Sequence, residues 1–269
     1  MKIALLATHT SPAYENLIFS LCTGVPPNNL KNLSSLNNRV ESEKNATSAK
    51  LTKDNDDVTI LGNNETWKGW KWRCIKYLEF LSSLENNELV VFCDAFDVLC
   101  LNNNMIEFEE KFESFKADIV FSKEWWCGSP KNCGKTRIFD ANVNAGFISG
   151  RAHALKSMYT EILSKHFVIV DQNFDDQLEI AHWIDQNVKH TLKIDTDELL
   201  CMTIHILDMN VSLRKAHFAH FPGPLLKLGL FPHYDIIGKT LKVPHQVNRC
   251  SFYIWYFFCI LVIAFVLVR

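Results

Sequence analysis

The feature that most constrains the fold is a short apolar run that stops at two carboxylates: Leu89-Val-Val-Phe-Cys93, followed by Asp94-Ala-Phe96-Asp97-Val98. An uninterrupted run rich in Val and Phe, bounded by polar residues, reads as a strand buried on both faces. That is the pattern of a parallel sheet covered by helices. Ligands of open α/β sheets bind outside the carboxyl ends of the strands. A carboxylate that ends such a strand costs free energy unless it is paired or holds a metal. Asp94 and Asp97, separated by a turn, have the chemistry for one hard divalent cation. Magnesium and manganese take oxygen ligands and suit substrate phosphates, so a nucleotide diphosphate is the simplest cargo. Asp-rich turns also arise with no ligand, Asp94 capping the turn and Asp97 solvated. Spacing alone leaves both readings open.

The rest of the chain supplies strands and helices around this one. Lys2 to Thr8 reads as a first strand ending in the polar turn Thr8-His9-Thr10-Ser11-Pro12, and Val58 to Leu61 as a second. Between them, residues 24–57 are dominated by Pro, Asn, Ser, Lys and Asp and read as a low-complexity insertion. Ile75, Leu78, Phe80, Leu81 and Leu84 recur at helical spacing after Trp67-Lys-Gly-Trp70-Lys71-Trp72. The three tryptophans read either as one wall of a pocket or as helix anchors in the core, with two of them expected in the core. Met105 to Phe115 is an amphipathic helix, Asp118 to Ser122 a strand, and residues 152–165 a helix. In Asn142-Val-Asn144-Ala-Gly146-Phe-Ile-Ser-Gly150 the two glycines predict a bend or a close backbone approach. Asp175 and Asp176 precede a helix over 178–184, where carboxylates are favoured by the helix dipole whether or not they do chemistry. Leu192 to Asp195 is an expected edge strand. His220, ahead of Phe221-Pro-Gly223-Pro224, reads as a metal ligand or as a plain turn histidine.

At 269 residues the chain accommodates one α/β domain or two small ones, and its formal charge of −2 argues against a nucleic-acid binder. Its 9 cysteines are scattered through apolar segments, as reduced buried thiols are. Only Cys127 and Cys133 flank a loop and could pair on oxidation. Phe252 to Val268 holds no charge and has tyrosines and a tryptophan at one end. At 1.5 Å per residue it is about 26 Å long, enough for a thin bilayer. The expectation is a C-terminal transmembrane helix, a single-pass tail anchor on a cytosolic catalytic domain. The alternative is a buried core helix, although this run lacks a polar face.

Taken together, the residues resemble the glycosyltransferase domain of the procollagen lysyl hydroxylases and, more distantly, the procollagen galactosyltransferases. The pieces come in the family's order: Ala7-Thr8, Thr66-Trp67-Lys-Gly69, Lys71-x-Arg73, Phe92-Cys-Asp94-Ala-Phe96-Asp97-Val, Ile119-Val-Phe-Ser122, Asn144-Ala-Gly146-Phe-Ile148, Asp175-Asp176-Gln177-Leu178 and His220-x-x-Gly223-Pro224-x-x-Lys227. The resemblance implies an α/β fold of the GT-A nucleotide-diphospho-sugar transferase type with a mostly parallel central sheet. It implies manganese held by Asp94, Asp97 and His220 and bridging the diphosphate of a UDP-sugar donor. Thr8, Trp67 and Phe96 would line the base and ribose pocket, Gly223 and Lys227 would meet the diphosphate, and Asp175 and Asp176 would serve transfer. The implied acceptor is a hydroxyl of a protein or glycan, with hydroxylysine and galactosyl-hydroxylysine of a collagen-like chain as the family's examples. The match departs in the spacing from His220 to Lys227, in a shorter acidic run, and at Gly128, where the family carries tryptophan.

The expected organisation is a glycosyltransferase domain over 1–243, a linker over 244–251 and a membrane anchor over 252–269. The expected activity is transfer of glucose or galactose from a UDP-sugar. The rival is a catalytically inactive, membrane-anchored module that binds nucleotide sugars or glycans. A hydrolase using paired carboxylates is a weaker third reading, since it has no need of a metal-diphosphate site.

Overall fold

The computed structural model describes residues 1–8, 21, 58–124, 135–139, 141–166, 173–204, 210–212, 216–222, 235–237 and 240–242. The insertion over 24–57, the Cys127 to Cys133 loop, Gly223, Lys227, the linker and the apolar run from Phe252 to Val268 lie outside these residues. Among the described residues no helix is long and apolar enough to cross a membrane.

The strands are β1 (Lys2–Leu6), β2 (Val58–Leu61), β3 (Leu89–Asp94), β4 (Val98–Cys100), β5 (Ile119–Glu124), β6 (Lys135–Thr136), β7 (Ala141–Arg151), β8 (Leu192–Asp195), β9 (Cys201–Thr203), β10 (Asn210–Ser212), β11 (Phe218–His220), β12 (Asp235–Ile237) and β13 (Thr240–Lys242). The helices are α1 (Trp70–Leu81), α2 (Met105–Ser114), α3 (Ala152–Ser164) and α4 (Asp176–Gln186). A seven-stranded sheet runs β2-β1-β3-β7-β5-β8, with β6 attached to β7. β1 pairs parallel with β2 and β3, and β5 pairs parallel with β8. β7 is antiparallel to both β3 and β5. The sheet is therefore mixed rather than mostly parallel, with three parallel and three antiparallel pairings, and Leu192 to Asp195 is the edge strand that the sequence predicts. A smaller sheet, β4-β11-β9, carries the chain on from the end of β3, and a third joins β10, β13 and β12.

Both faces of the large sheet are covered, which explains the uninterrupted apolar runs. Side chains alternate between faces along each strand. Ala4, Leu6, Val90, Phe92, Ile119 and Phe121 pack on one side with Trp72, Tyr77 and Leu81 of α1, Leu155 and Tyr159 of α3 and Trp183 of α4. Tyr77 stacks on Phe92 with ring centroids 4.0 Å apart. Ile3, Leu5, Val91, Cys93 and Val120 pack on the other side with Phe108 and Phe112 of α2, and with Cys100, Cys201 and Phe218 of the small sheet.

One further expectation needs correcting and two open readings are resolved. Of the tryptophans Trp67, Trp70 and Trp72, two of which were expected in the core, only Trp72 is buried, while Trp67 and Trp70 are exposed. Gly69, at φ 100°, caps α1 and turns the chain so that Trp67 stays outside the helix. His220 is not a turn histidine, because it ends β11 and is fixed by strand pairing on both sides. Residues 142–150 are not merely a bend but the heart of an 11-residue strand.

Candidate active site

The site grows from the carboxyl end of β3. Asp94 stands in register with Leu6 of β1, at the edge of the large sheet. Ala95 is buried and anchors the turn. The chain then enters β4, which pairs antiparallel with β11 and brings Val98 opposite His220. The backbone N–H of Phe221 donates to the carbonyl of Asp97 at 2.7 Å, which locks this junction. Asp94, Asp97 and His220 thereby converge, with one ligand atom from each within 4.8 Å of the others. His220 Nε2 lies 3.5 Å from Asp97 Oδ1 and 3.9 Å from Asp94 Oδ2.

These donors fit a cation. Asp97 Oδ1 and both ring nitrogens of His220 are buried without a hydrogen-bond partner, a state that costs free energy unless something else satisfies them. Two carboxylates and one imidazole suit manganese better than calcium, which prefers an all-oxygen shell. Burial pushes the Asp94 carboxyl up to about 6, with Arg73 pulling the other way. Burial alone would lower the His220 imidazolium, yet the facing Asp97 and Asp94 carboxylates raise it above its ordinary value.

Gly146 makes the convergence possible. A Cβ at this position would lie 2.7 Å from His220 Nε2 and 2.9 Å from Asp94 Oδ2. The close approach predicted for this glycine is thus real. It is achieved by an irregularity in the β5–β7 pairing. Phe121 pairs with Ile148, but the next residue, Ser122, pairs with Asn144, so Ala145 to Phe147 arch out of register. Asn144 holds the arch. Its Oδ1 accepts from Gly146 N, and its Nδ2 donates to Glu124 Oε2, both at 2.7 Å.

Arg73 is the residue at the site whose partners the sequence does not reveal. It lies fully buried on α1. Its Nη1 donates to Asp94 Oδ1 at 2.5 Å, its Nε donates to Asp176 Oδ2 at 2.7 Å, and its Nη2 also donates to Asp176 Oδ2. The guanidinium therefore occupies one oxygen of Asp94 and leaves Oδ2 facing His220. Its Cζ also sits 4.6 Å from the Trp70 ring centroid. Burial raises the Asp176 carboxyl, and Arg73 opposes that shift. The sequence signal was the Lys71-x-Arg73 motif, whose arginine finds its partners 21 and 103 residues away.

Asp175 and Asp176 differ in their surroundings. Asp175 is the N-cap of α4, its side chain accepting from Leu178 N at 3.1 Å, and is half-buried. Asp176 is buried in the Arg73 clamp. Gln177 Oε1 accepts from Ala145 N at 3.2 Å and ties α4 to the β7 arch. Thr8 follows the end of β1, and Phe96 lies in the Asp94 to Asp97 turn, packed against the core. Trp67 is exposed and meets Trp70 edge to face, with ring centroids 5.0 Å apart.

Residues 42–219 match the PLOD GT domain family, the glycosyltransferase domain of the procollagen lysyl hydroxylase and galactosyltransferase type. The chain belongs to this family. The PLOD GT domain match spans Trp67, Asp94, Asp97, Asp175 and Asp176 and ends one residue before His220. It agrees with a GT-A glycosyltransferase. No curated protein sequence matches the chain significantly. Among solved structures, the galactosyltransferase LgtC in complex with donor and acceptor sugar analogues is similar at 12% identity and TM-score 0.46, over 83% of this chain and 88% of that one. A glycosyltransferase involved in glycosylation of the major capsid of PBCV-1 is similar at 11% identity and TM-score 0.47, over 83% and 96%. The 4-diphosphocytidyl-2C-methyl-D-erythritol synthase of Anaerococcus prevotii is similar at 13% identity and TM-score 0.37, over 71% and 86%. The family assignment rests on the sequence match alone.

Proposed function

We propose that this glycosyltransferase moves glucose or galactose from a UDP-sugar to a hydroxyl acceptor in a manganese-dependent reaction. The observation that carries the reading is the cluster of Asp94, Asp97 and His220 at the carboxyl end of β3, in which Asp97 Oδ1 and both ring nitrogens of His220 are buried without a hydrogen-bond partner. A divalent cation there supplies positive charge to the leaving diphosphate. Thr8, Trp67 and Phe96 line the uridine side, and Gly223 and Lys227 meet the diphosphate. Arg73 holds Asp176 in place beside the donor sugar, while Asp175, the less buried of the pair, orients or deprotonates the acceptor hydroxyl. The family relation favours hydroxylysine or galactosyl-hydroxylysine of a collagen-like chain as acceptor. The run from Phe252 to Val268 tethers the domain to a membrane, with the catalytic domain on the cytosolic side.

The test is UDP release by the full chain in detergent with manganese, across a panel of UDP-sugars, with hydroxylysine and galactosyl-hydroxylysine peptides as acceptors. We expect one donor to turn over in a manganese-dependent way. The Asp97→Ala variant should lose on the order of 100-fold or more of that rate. Manganese-dependent UDP binding without turnover on any pair would favour the inactive binding module. Absence of manganese-dependent UDP binding would overturn the metal site.

A further inference from the structure

We propose that Thr203 is the positioning residue that orients His220 toward the cation. The inference rests on reading Asp94, Asp97 and His220 as the cation site. The ring nitrogen that faces the two carboxylates is Nε2, so Nε2 is the metal-binding atom. Metal-bound histidines donate their other ring N–H to an acceptor, and this bond fixes the tautomer and the ring orientation. The other nitrogen here, Nδ1, is buried and has no partner.

The strand pairing supplies a candidate acceptor. β9 and β11 are parallel, with His220 in register with Thr203. In-register residues on adjacent strands project to the same face of the sheet. On the other flank of β11 the in-register residue is Val98, which has no acceptor atom on its side chain. Thr203 is 3% exposed, and its Oγ1 is a second buried polar atom without a partner. A donor with no acceptor and a hydroxyl with no partner thus stand side by side on the metal face of the small sheet. Thr203 Oγ1 accepts the Nδ1 hydrogen, either after rotation about χ1 or through one bridging water. The Nε2 lone pair is then free and aimed at the cation. Thr203 touches neither the cation nor the substrate.

The experiment is manganese titration by calorimetry on the full chain, without nucleotide, for the wild type, Thr203→Val and Thr203→Ser. Thr203→Val keeps the shape and removes the acceptor, so manganese affinity should fall about 10–100-fold. Thr203→Ser should restore it. Denaturant unfolding of the metal-free proteins serves as the structural control. Removal of a buried hydroxyl without a partner should leave Thr203→Val no less stable than the wild type. Equal manganese affinity in Thr203→Val and wild type overturns the proposal while leaving the cation site intact. Equal losses in the Val and Ser variants overturn it as well. Failure of the wild type to bind manganese overturns the cation site itself and this inference with it.

Discussion

Asp94 sits between opposing influences. Burial pushes its carboxyl up to about 6, and the Arg73 guanidinium at 2.5 Å pulls it down. Its folded value stands above its unfolded one. In the metal-free protein its ionisation between about pH 4 and pH 6 therefore subtracts stability. Metal binding has the opposite sign, because the carboxylate must be ionised and the imidazole neutral to coordinate. We expect manganese affinity to rise at least about tenfold per pH unit up to pH 6. It should keep rising past neutrality, since His220 is itself raised by Asp97 and Asp94. Calorimetric titrations from pH 5 to pH 8 would check this, and a flat profile below pH 6 would remove Asp94 from the ligand set. The carboxylates were legible in the sequence because charge at the end of an apolar run is conspicuous. Thr203 and Gly146 were less so, since their meaning depends on a neighbour across the sheet that no local pattern names.

At the scale of elements, α1 is a clamp as well as a cover. Its apolar residues pack on the sheet through Trp72, Tyr77 and Leu81, while Arg73 on the same helix joins β3 to the N-terminus of α4. Replacing Arg73 by methionine leaves two carboxylates in a buried site with no countercharge. Breaking a buried pair from one side costs about 3–5 kcal/mol. Without Arg73 the Asp94 and Asp176 carboxyls titrate higher still, so acid restores part of the loss. The deficit should be largest at pH 7–8 and shrink below pH 6, as measured by denaturant unfolding at both ends. A pH-independent deficit would mean that packing rather than charge is lost. The elements themselves divide by length. The helices α1 to α4 and the strands β1, β2, β3, β5 and β8 were readable in the sequence, to within a few residues at their ends. The small sheet was not, because β4, β9 and β11 are each three residues long and too short to carry a pattern. The arch in β7 was read only as glycine-marked irregularity, because its partner β5 sets the register.

For the whole molecule, the candidate cation site lies where two sheets meet. The large sheet contributes Asp94 and the Gly146 approach, and the β4-β11-β9 sheet contributes His220, with Asp97 at its entrance. The junction holds buried polar atoms that lack partners, whereas Phe92 and Tyr159 lie in the packed layers of the large sheet. A ligand that binds only the native state stabilises it by mass action, about 2.7 kcal/mol at a free concentration 100 times its Kd. The gain should not be spread evenly. Manganese should slow amide exchange in 98–100, 201–203 and 218–220, while β2, on the far edge of the large sheet, changes little. In His220→Ala the slowing should vanish, although the large sheet keeps its own protection. Uniform slowing across both sheets would mean that the ion acts on the molecule from elsewhere. Slowing confined to the small sheet would make the cation a structural seam as well as a catalytic charge.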